Sequence, residues 1–72
     1  MKRKTLCKAR LDKGLTQQQV ADYLGISVRF YQNIEAGERN GNFKIWDYLE
    51  DLFSIHQRKL RQLAQEDNRQ KH

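Results

Sequence analysis

The fold is decided by residues 15–35, Leu15-Thr16-Gln17-Gln18-Gln19-Val20-Ala21-Asp22-Tyr23-Leu24-Gly25-Ile26-Ser27-Val28-Arg29-Phe30-Tyr31-Gln32-Asn33-Ile34-Glu35. Thr16 followed by Gln19 is a capping-box pattern: the Thr16 side chain accepts the Gln19 amide while the Gln19 side chain reaches back. A helix therefore opens here. At ~100° per residue, Val20, Ala21, Tyr23 and Leu24 share one side, with Gln18, Gln19 and Asp22 opposite. Gly25 closes this helix, Ile26 is a short apolar link, and Ser27 is a good N-cap for the next. In that next helix, Val28 to Glu35, the side chains of Phe30, Tyr31 and Ile34 fall within an arc of about 100°, a core-facing stripe. Val28, Arg29, Gln32 and Asn33 lie almost diametrically opposite. Their face carries one guanidinium, two carboxamides and a small apolar group, with neither Lys nor Glu. That is not the composition of a merely solvated surface.

Working outward, a first helix is expected over 5–13, stopping at Gly14. A fourth begins after Asn42 and runs from Phe43 to about Phe53, and a fifth covers about 57–65. Ile45, Trp46, Tyr48, Leu49, Leu52 and Phe53 spread over roughly 160° of the fourth helix, wider than one core contact needs. The fifth offers only Leu60, Leu63 and Ala64, with Ile55 anchoring its start. No segment alternates strictly enough for a strand. The fold class is all-α, a compact bundle of four to five short helices. The chain divides into a basic arm over 1–4, one domain over 5–63, and a polar tail over 64–72 that frays.

Composition narrows the function. The chain has 72 residues, 14 Lys+Arg against 9 Asp+Glu, a formal net charge of +5 and no proline. Such a length allows a single small core, and a pI near 9.7 favours polyanionic partners. The single cysteine, Cys7, excludes an intramolecular disulfide and reads as a small apolar contact. His56 and His72 have no carboxylate or thiol at ligand spacing, so no metal site, cofactor or catalytic base is expected. No enzyme chemistry is visible, and no small-molecule ligand is expected. No apolar run approaches the roughly 18 residues of a membrane span. The basic start lacks the apolar stretch of a signal peptide, so a cytoplasmic setting is expected.

Two short helices joined by a glycine-containing turn, the second with a hydrogen-bonding face, describe a helix-turn-helix. At this point the sequence strongly resembles the Cro/repressor-type (XRE-like) helix-turn-helix family of bacterial and phage transcriptional regulators. The resemblance rests on Leu15-Thr16-Gln17, Val20-Ala21, Leu24-Gly25-Ile26-Ser27, Ile34-Glu35-Ala36-Gly37 and Arg39-Asn40. It implies a lambda-repressor-like bundle. It also implies that the segment from Ser27 to Glu35 enters the major groove, while Gln17 touches a phosphate and buttresses the reading helix. Arg39 and Asn40 would contact the backbone, and Arg10 would pair with Glu35 as a structural ion pair.

Physical chemistry supports the same reading. Arg29 suits guanine O6 and N7, Gln32 and Asn33 suit adenine N6 and N7, and Val28 suits a thymine methyl. On the phosphate side stand Thr16, Gln17 and Gln18 at one helix start and Ser27 at the next, with Arg39, Asn40 and Lys44 beyond them. The basic run Lys2-Arg3-Lys4 reads as a disordered tail in preference to a phosphate-binding arm. Phe30 is expected to pack on the first or second helix. Tyr31 stands where a smaller β-branched residue is common in the family and Ala9 where leucine is common, so the two are expected to compensate. Gly41 replaces a frequent proline, and Glu50 a small apolar residue.

The expected function is sequence-specific binding of double-stranded DNA, with repression as its outcome. A homodimer on a palindromic operator is expected, through a surface drawn from Ile45, Tyr48, Leu52, Leu60 and Leu63. The competing reading is an antitoxin-like interaction module, in which the fourth and fifth helices grip a protein and DNA binding is secondary autoregulation.

Overall fold

The computed structural model describes residues 2–63, and the polar tail expected over 64–72 lies outside them. Five helices follow one another: α1 (Lys4–Asp12), α2 (Gln17–Leu24), α3 (Val28–Glu35), α4 (Phe43–Phe53) and α5 (Gln57–Leu60). Among the described residues there is no strand, and no helix is long and apolar enough to cross a membrane.

The helix starts are chemically specified. Thr16 Oγ1 accepts from the Gln19 amide at 3.0 Å, and Gln19 Oε1 accepts from the Thr16 amide at 2.8 Å, closing the capping box. Ser27 Oγ accepts from the Phe30 amide at 3.1 Å, and Asn42 Oδ1 from the Ile45 amide at 2.9 Å. These bonds satisfy amides that a helix start leaves without an internal partner. Between α2 and α3, Gly25 adopts φ +73, a left-handed conformation that costs other residues strain. The Ile26 amide then bonds back to the Ala21 carbonyl at 3.0 Å, which sets the turn between the two helices.

The core is built from all five helices, with Leu6, Val20, Ala21, Tyr31, Ile34, Leu49 and Leu60 wholly excluded from solvent. Phe30, Leu15, Ile26, Val28, Leu52 and Ile55 pack against it from the rim. α2 lies on α3, while α1 meets both α3 and α5. Glu50 is half-buried where α4 meets α5 and accepts the Gln57 side-chain amide at 3.0 Å. A carboxylate is tolerated there because it has a donor.

Three expectations change. Helix α1 starts at Lys4, and α5 is four residues long, ending at Leu60. The basic start is not a disordered tail at Arg3, which is 3 % exposed and bonded to the body of the protein. Ile45 and Leu60, expected on a dimer surface, are 5 % and 0 % exposed within the chain's own core. The wide apolar arc of α4 has a physical explanation: one part faces α5 and the interior, and another faces outward.

Gly41 cannot be exchanged for the proline that its position suggested. Its φ is +72, whereas proline holds φ near −65°, and an added Cβ would lie 3.3 Å from Trp46 Nε1. Ala9 and Tyr31 both lie in the core cluster, 6 % and 0 % exposed. Enlarging residue 9 therefore overpacks a filled interior. Ala9→Leu is expected to destabilise by about 1–3 kcal/mol, read as a lowered thermal midpoint; an unchanged or raised midpoint would refute the pairing of small residue 9 with large residue 31.

Candidate nucleic-acid interface

Glu35, at the end of α3, is 3 % exposed and lies at the centre of a polar cluster drawn from three helices. Arg10 of α1 donates from Nε to Glu35 Oε2 at 2.7 Å and from Nη2 to Oε1 at 3.4 Å. Arg10 also donates from Nη1 to the Leu15 carbonyl at 2.9 Å, which ties the α1–α2 turn to the same group. The Tyr31 hydroxyl donates to Glu35 Oε2 at 2.6 Å, one helical turn away. Gln17, the first residue of α2, donates from Nε2 to Glu35 Oε1 at 3.0 Å.

Each bond has an electrostatic consequence. Burial alone pushes the Glu35 carboxyl up. Hydrogen bonds from Arg10, Tyr31 and Gln17, with the charge of Arg10, outweigh it and hold the group below the usual carboxylate range. Arg10 is held above its ordinary value, first by its hydrogen bond to Glu35. Burial, then the bond to Glu35, pushes the Tyr31 phenol far up, so it stays protonated and donating.

The network continues to the surface. Gln32 of α3, exposed, donates from Nε2 to Gln17 Oε1 at 3.2 Å. A buried carboxylate is thus linked through Gln17 to a side chain on the outer face of α3. On that face Arg29 and Gln32 are exposed, while Val28 and Asn33 are half-buried. Val28 packs against the core rim, so only part of it faces outward. The Asn33 carbonyl accepts from the Glu38 and Arg39 amides at 2.9 and 3.2 Å, starting the loop that leads to α4.

The residues expected to meet phosphate flank this face at helix starts and in that loop. Thr16 and Ser27 use their hydroxyl oxygens as cap acceptors, which leaves each hydroxyl proton to donate. Gln18 donates its side-chain amide to Asp22 at 2.9 Å. Arg39, Asn40 and Lys44 are exposed, and Asn40 is held on two sides. Its Oδ1 accepts from Arg3 Nη2 at 3.3 Å and its carbonyl from Trp46 Nε1 at 2.6 Å.

Of the expected dimer residues, Tyr48 is 39 % exposed and Leu52 and Leu63 are half-buried. Tyr48 meets Tyr23 of α2 edge-on, with ring centroids 6.1 Å apart. Three participants were not foreseen as such: the Tyr31 hydroxyl, the bond from Gln17 to Glu35, and Arg3. For Tyr31 the i,i+4 spacing to Glu35 was a usable signal. For Arg3 no local signal exists. Among the described residues no group of three or more His, Cys, Asp or Glu could hold a metal ion.

A family model described as helix-turn-helix matches residues 8–45, from within α1 to the first turn of α4. Comparison with curated proteins gave no match, and neither did comparison with solved structures.

Because the native Glu35 carboxyl is depressed, its contribution to stability is present above the ordinary glutamate range near pH 4.3. It drains as pH falls below that range through the native value. Glu35→Gln should be less stable than the native chain at neutral pH, and the gap should narrow on acidification. Denaturant midpoints at about pH 7 and about pH 3 check this; a constant gap would contradict it.

Proposed function

Because the chain belongs to the Cro/repressor-type helix-turn-helix family of DNA-binding regulators, we propose that it represses transcription by reading a specific double-stranded sequence with α3 in the major groove. The observation that carries this reading is the polarity of the Glu35–Gln17–Gln32 chain. An ionised carboxylate only accepts hydrogen bonds. Gln17 must therefore turn its nitrogen toward Glu35 and its oxygen away. Gln32 donates to that oxygen, which leaves the Gln32 oxygen and its second amide hydrogen to face outward. This is the acceptor-plus-donor pattern that pairs with adenine N6 and N7.

Arg29, exposed one turn earlier, suits guanine O6 and N7, and Asn33 suits a second adenine. The outward part of Val28 suits a thymine methyl. Phosphates would meet the starts of α2 and α4, the hydroxyls of Thr16 and Ser27, the side chains of Gln17 and Gln18, and Arg39, Asn40 and Lys44. An excess of five positive charges favours association with the duplex. Two copies on half-sites about one helical turn apart would require a palindromic operator. Tyr48, Leu52 and Leu63 are the expected dimer residues that keep exposed surface.

Selection from a random duplex pool at near-physiological salt tests the proposal. The native chain should enrich a palindromic motif. An Arg29→Ala/Gln32→Ala/Asn33→Ala variant should lose it, with roughly a hundredfold or more lower affinity for the selected site, while retaining weak salt-dependent binding. Gln17→Met, which lets the Gln32 amide turn over, should relax the base preference at the position that Gln32→Ala identifies. Equal, sequence-independent and steeply salt-dependent binding by the native chain and the triple variant would overturn the reading.

A further inference from the structure

Arg3 is the only buried cation among the described residues, and its guanidinium joins four segments. Nε donates to the Arg61 carbonyl at 2.9 Å, and Nη1 to the Ile34 carbonyl at 2.6 Å and the Arg39 carbonyl at 2.9 Å. Nη2 donates to Asn40 Oδ1 at 3.3 Å, and the Arg3 amide donates to the Glu35 carbonyl at 2.8 Å. The guanidinium carbon lies 5.3 Å from the centroid of the Trp46 ring. Ile34 and Arg61 are at the C-terminal ends of α3 and α5, where the helix dipole favours a cation; the Ile34 carbonyl also accepts the Gly37 amide at 3.1 Å. Their bonds favour a cation in that place.

The bonds to Arg39 and Asn40 do something else. These residues sit in the loop between α3 and α4, which contains Gly37 at φ +81 and Gly41 at φ +72. The chain has no proline to stiffen that loop. Glycine gives a backbone more conformations to lose, so a loop of this composition needs fixing from outside. Arg3 supplies the fixing from one side, and Trp46 Nε1 supplies it from the other through the Asn40 carbonyl.

We propose that Arg3 is a positioning residue for recognition of the DNA backbone: it holds the Arg39–Asn40 loop in its phosphate-binding conformation before DNA arrives. The inference rests on the reading that Arg39 and Asn40 meet phosphates. Ordering the loop in the free protein removes an entropic cost that would otherwise be met on binding. Lysine cannot substitute, because one ammonium cannot reach acceptors spread around a planar fork. Arg3→Lys therefore separates position from charge, since the net charge is unchanged.

The test uses the full chain and the operator found by selection. Arg39→Ala should weaken binding about three- to tenfold and reduce the salt slope by about one. Arg3→Lys should produce a similar loss and a similar change in slope, with the base preference intact. The double variant should lose less than the product of the two single losses, because one of the contacts that Arg3 positions is already gone. In the free Arg3→Lys protein, hydrogen exchange should quicken at the Glu38 and Arg39 amides while α2 and α3 keep native protection. Multiplying losses in the double variant, or native affinity in Arg3→Lys, would overturn the proposal.

A readout on the native chain alone covers the case in which Arg3→Lys fails to fold. The Glu38 and Arg39 amides should be as protected in the free protein as on DNA; a loop that orders only on binding refutes the positioning role. If the native chain selects no sequence, the repressor reading fails. The loop measurements in the free native and Arg3→Lys proteins then still decide whether Arg3 orders the loop.

Discussion

The buried carboxylate of Glu35 is the constraint on which the rest of the structure depends. A charge out of water is stable only where donors replace its hydration, and here three side chains from three helices do so: Arg10, Gln17 and Tyr31. Two of the donors set approaches between helices, and the third braces α3 itself. Arg10 fixes α1 against the end of α3, Gln17 fixes the start of α2, and Tyr31 locks one turn of α3 to the next. A hydrophobic core of this size favours compaction but is tolerant of register. The polar cluster removes that tolerance, because a small displacement would strand a donor or leave the carboxylate short of one. The same cluster faces outward through Gln17, so the group that fixes the packing also orients a side chain on the outer face of α3.

The two arginines near the start of the chain tie different segments together. Arg10 answers a charge with a charge, and its pair with Glu35 is nearly free of water. Arg3 reaches carbonyl oxygens, and its planar set of donors matches acceptors from the ends of α3 and α5 and from the loop between α3 and α4. Lysine would fit neither place, since both depend on several directed bonds from one group. Together they connect the first dozen residues to the C-terminal end of α3, to the loop after it and to the turn before α2.

Much of this was legible in the residues. The starts of α2, α3 and α4 follow from Thr16, Ser27 and Asn42, and the inner stripe of α3 follows from the spacing of Phe30, Tyr31 and Ile34. The pairing of Arg10 with Glu35 was accessible only through family resemblance, because twenty-five residues separate them in the chain. The outward reading of Ile45 and Leu60 failed for a definite reason. Periodicity says how wide an apolar face is, but not how much of it a following short helix covers. Here α5 packs on both α1 and α4 with Leu60 inside, and Ile45 lies in the same core cluster.

What the sequence determined by itself is therefore local. Caps, helix boundaries and the division of α3 into an inner and an outer face arise from interactions within about one helical turn, and those are written in adjacent residues. What only the tertiary structure decided involves partners far apart in the chain. The guanidinium bonds described for Arg3 span 31 to 58 residues, and the bond from Gln17 to Glu35 spans 18. Nothing in Lys2-Arg3-Lys4 distinguishes the middle cation from its neighbours. The distinction comes from the carbonyls that the folded chain gathers around that one position, and it turns a residue of apparent tail into one that fixes the loop after α3.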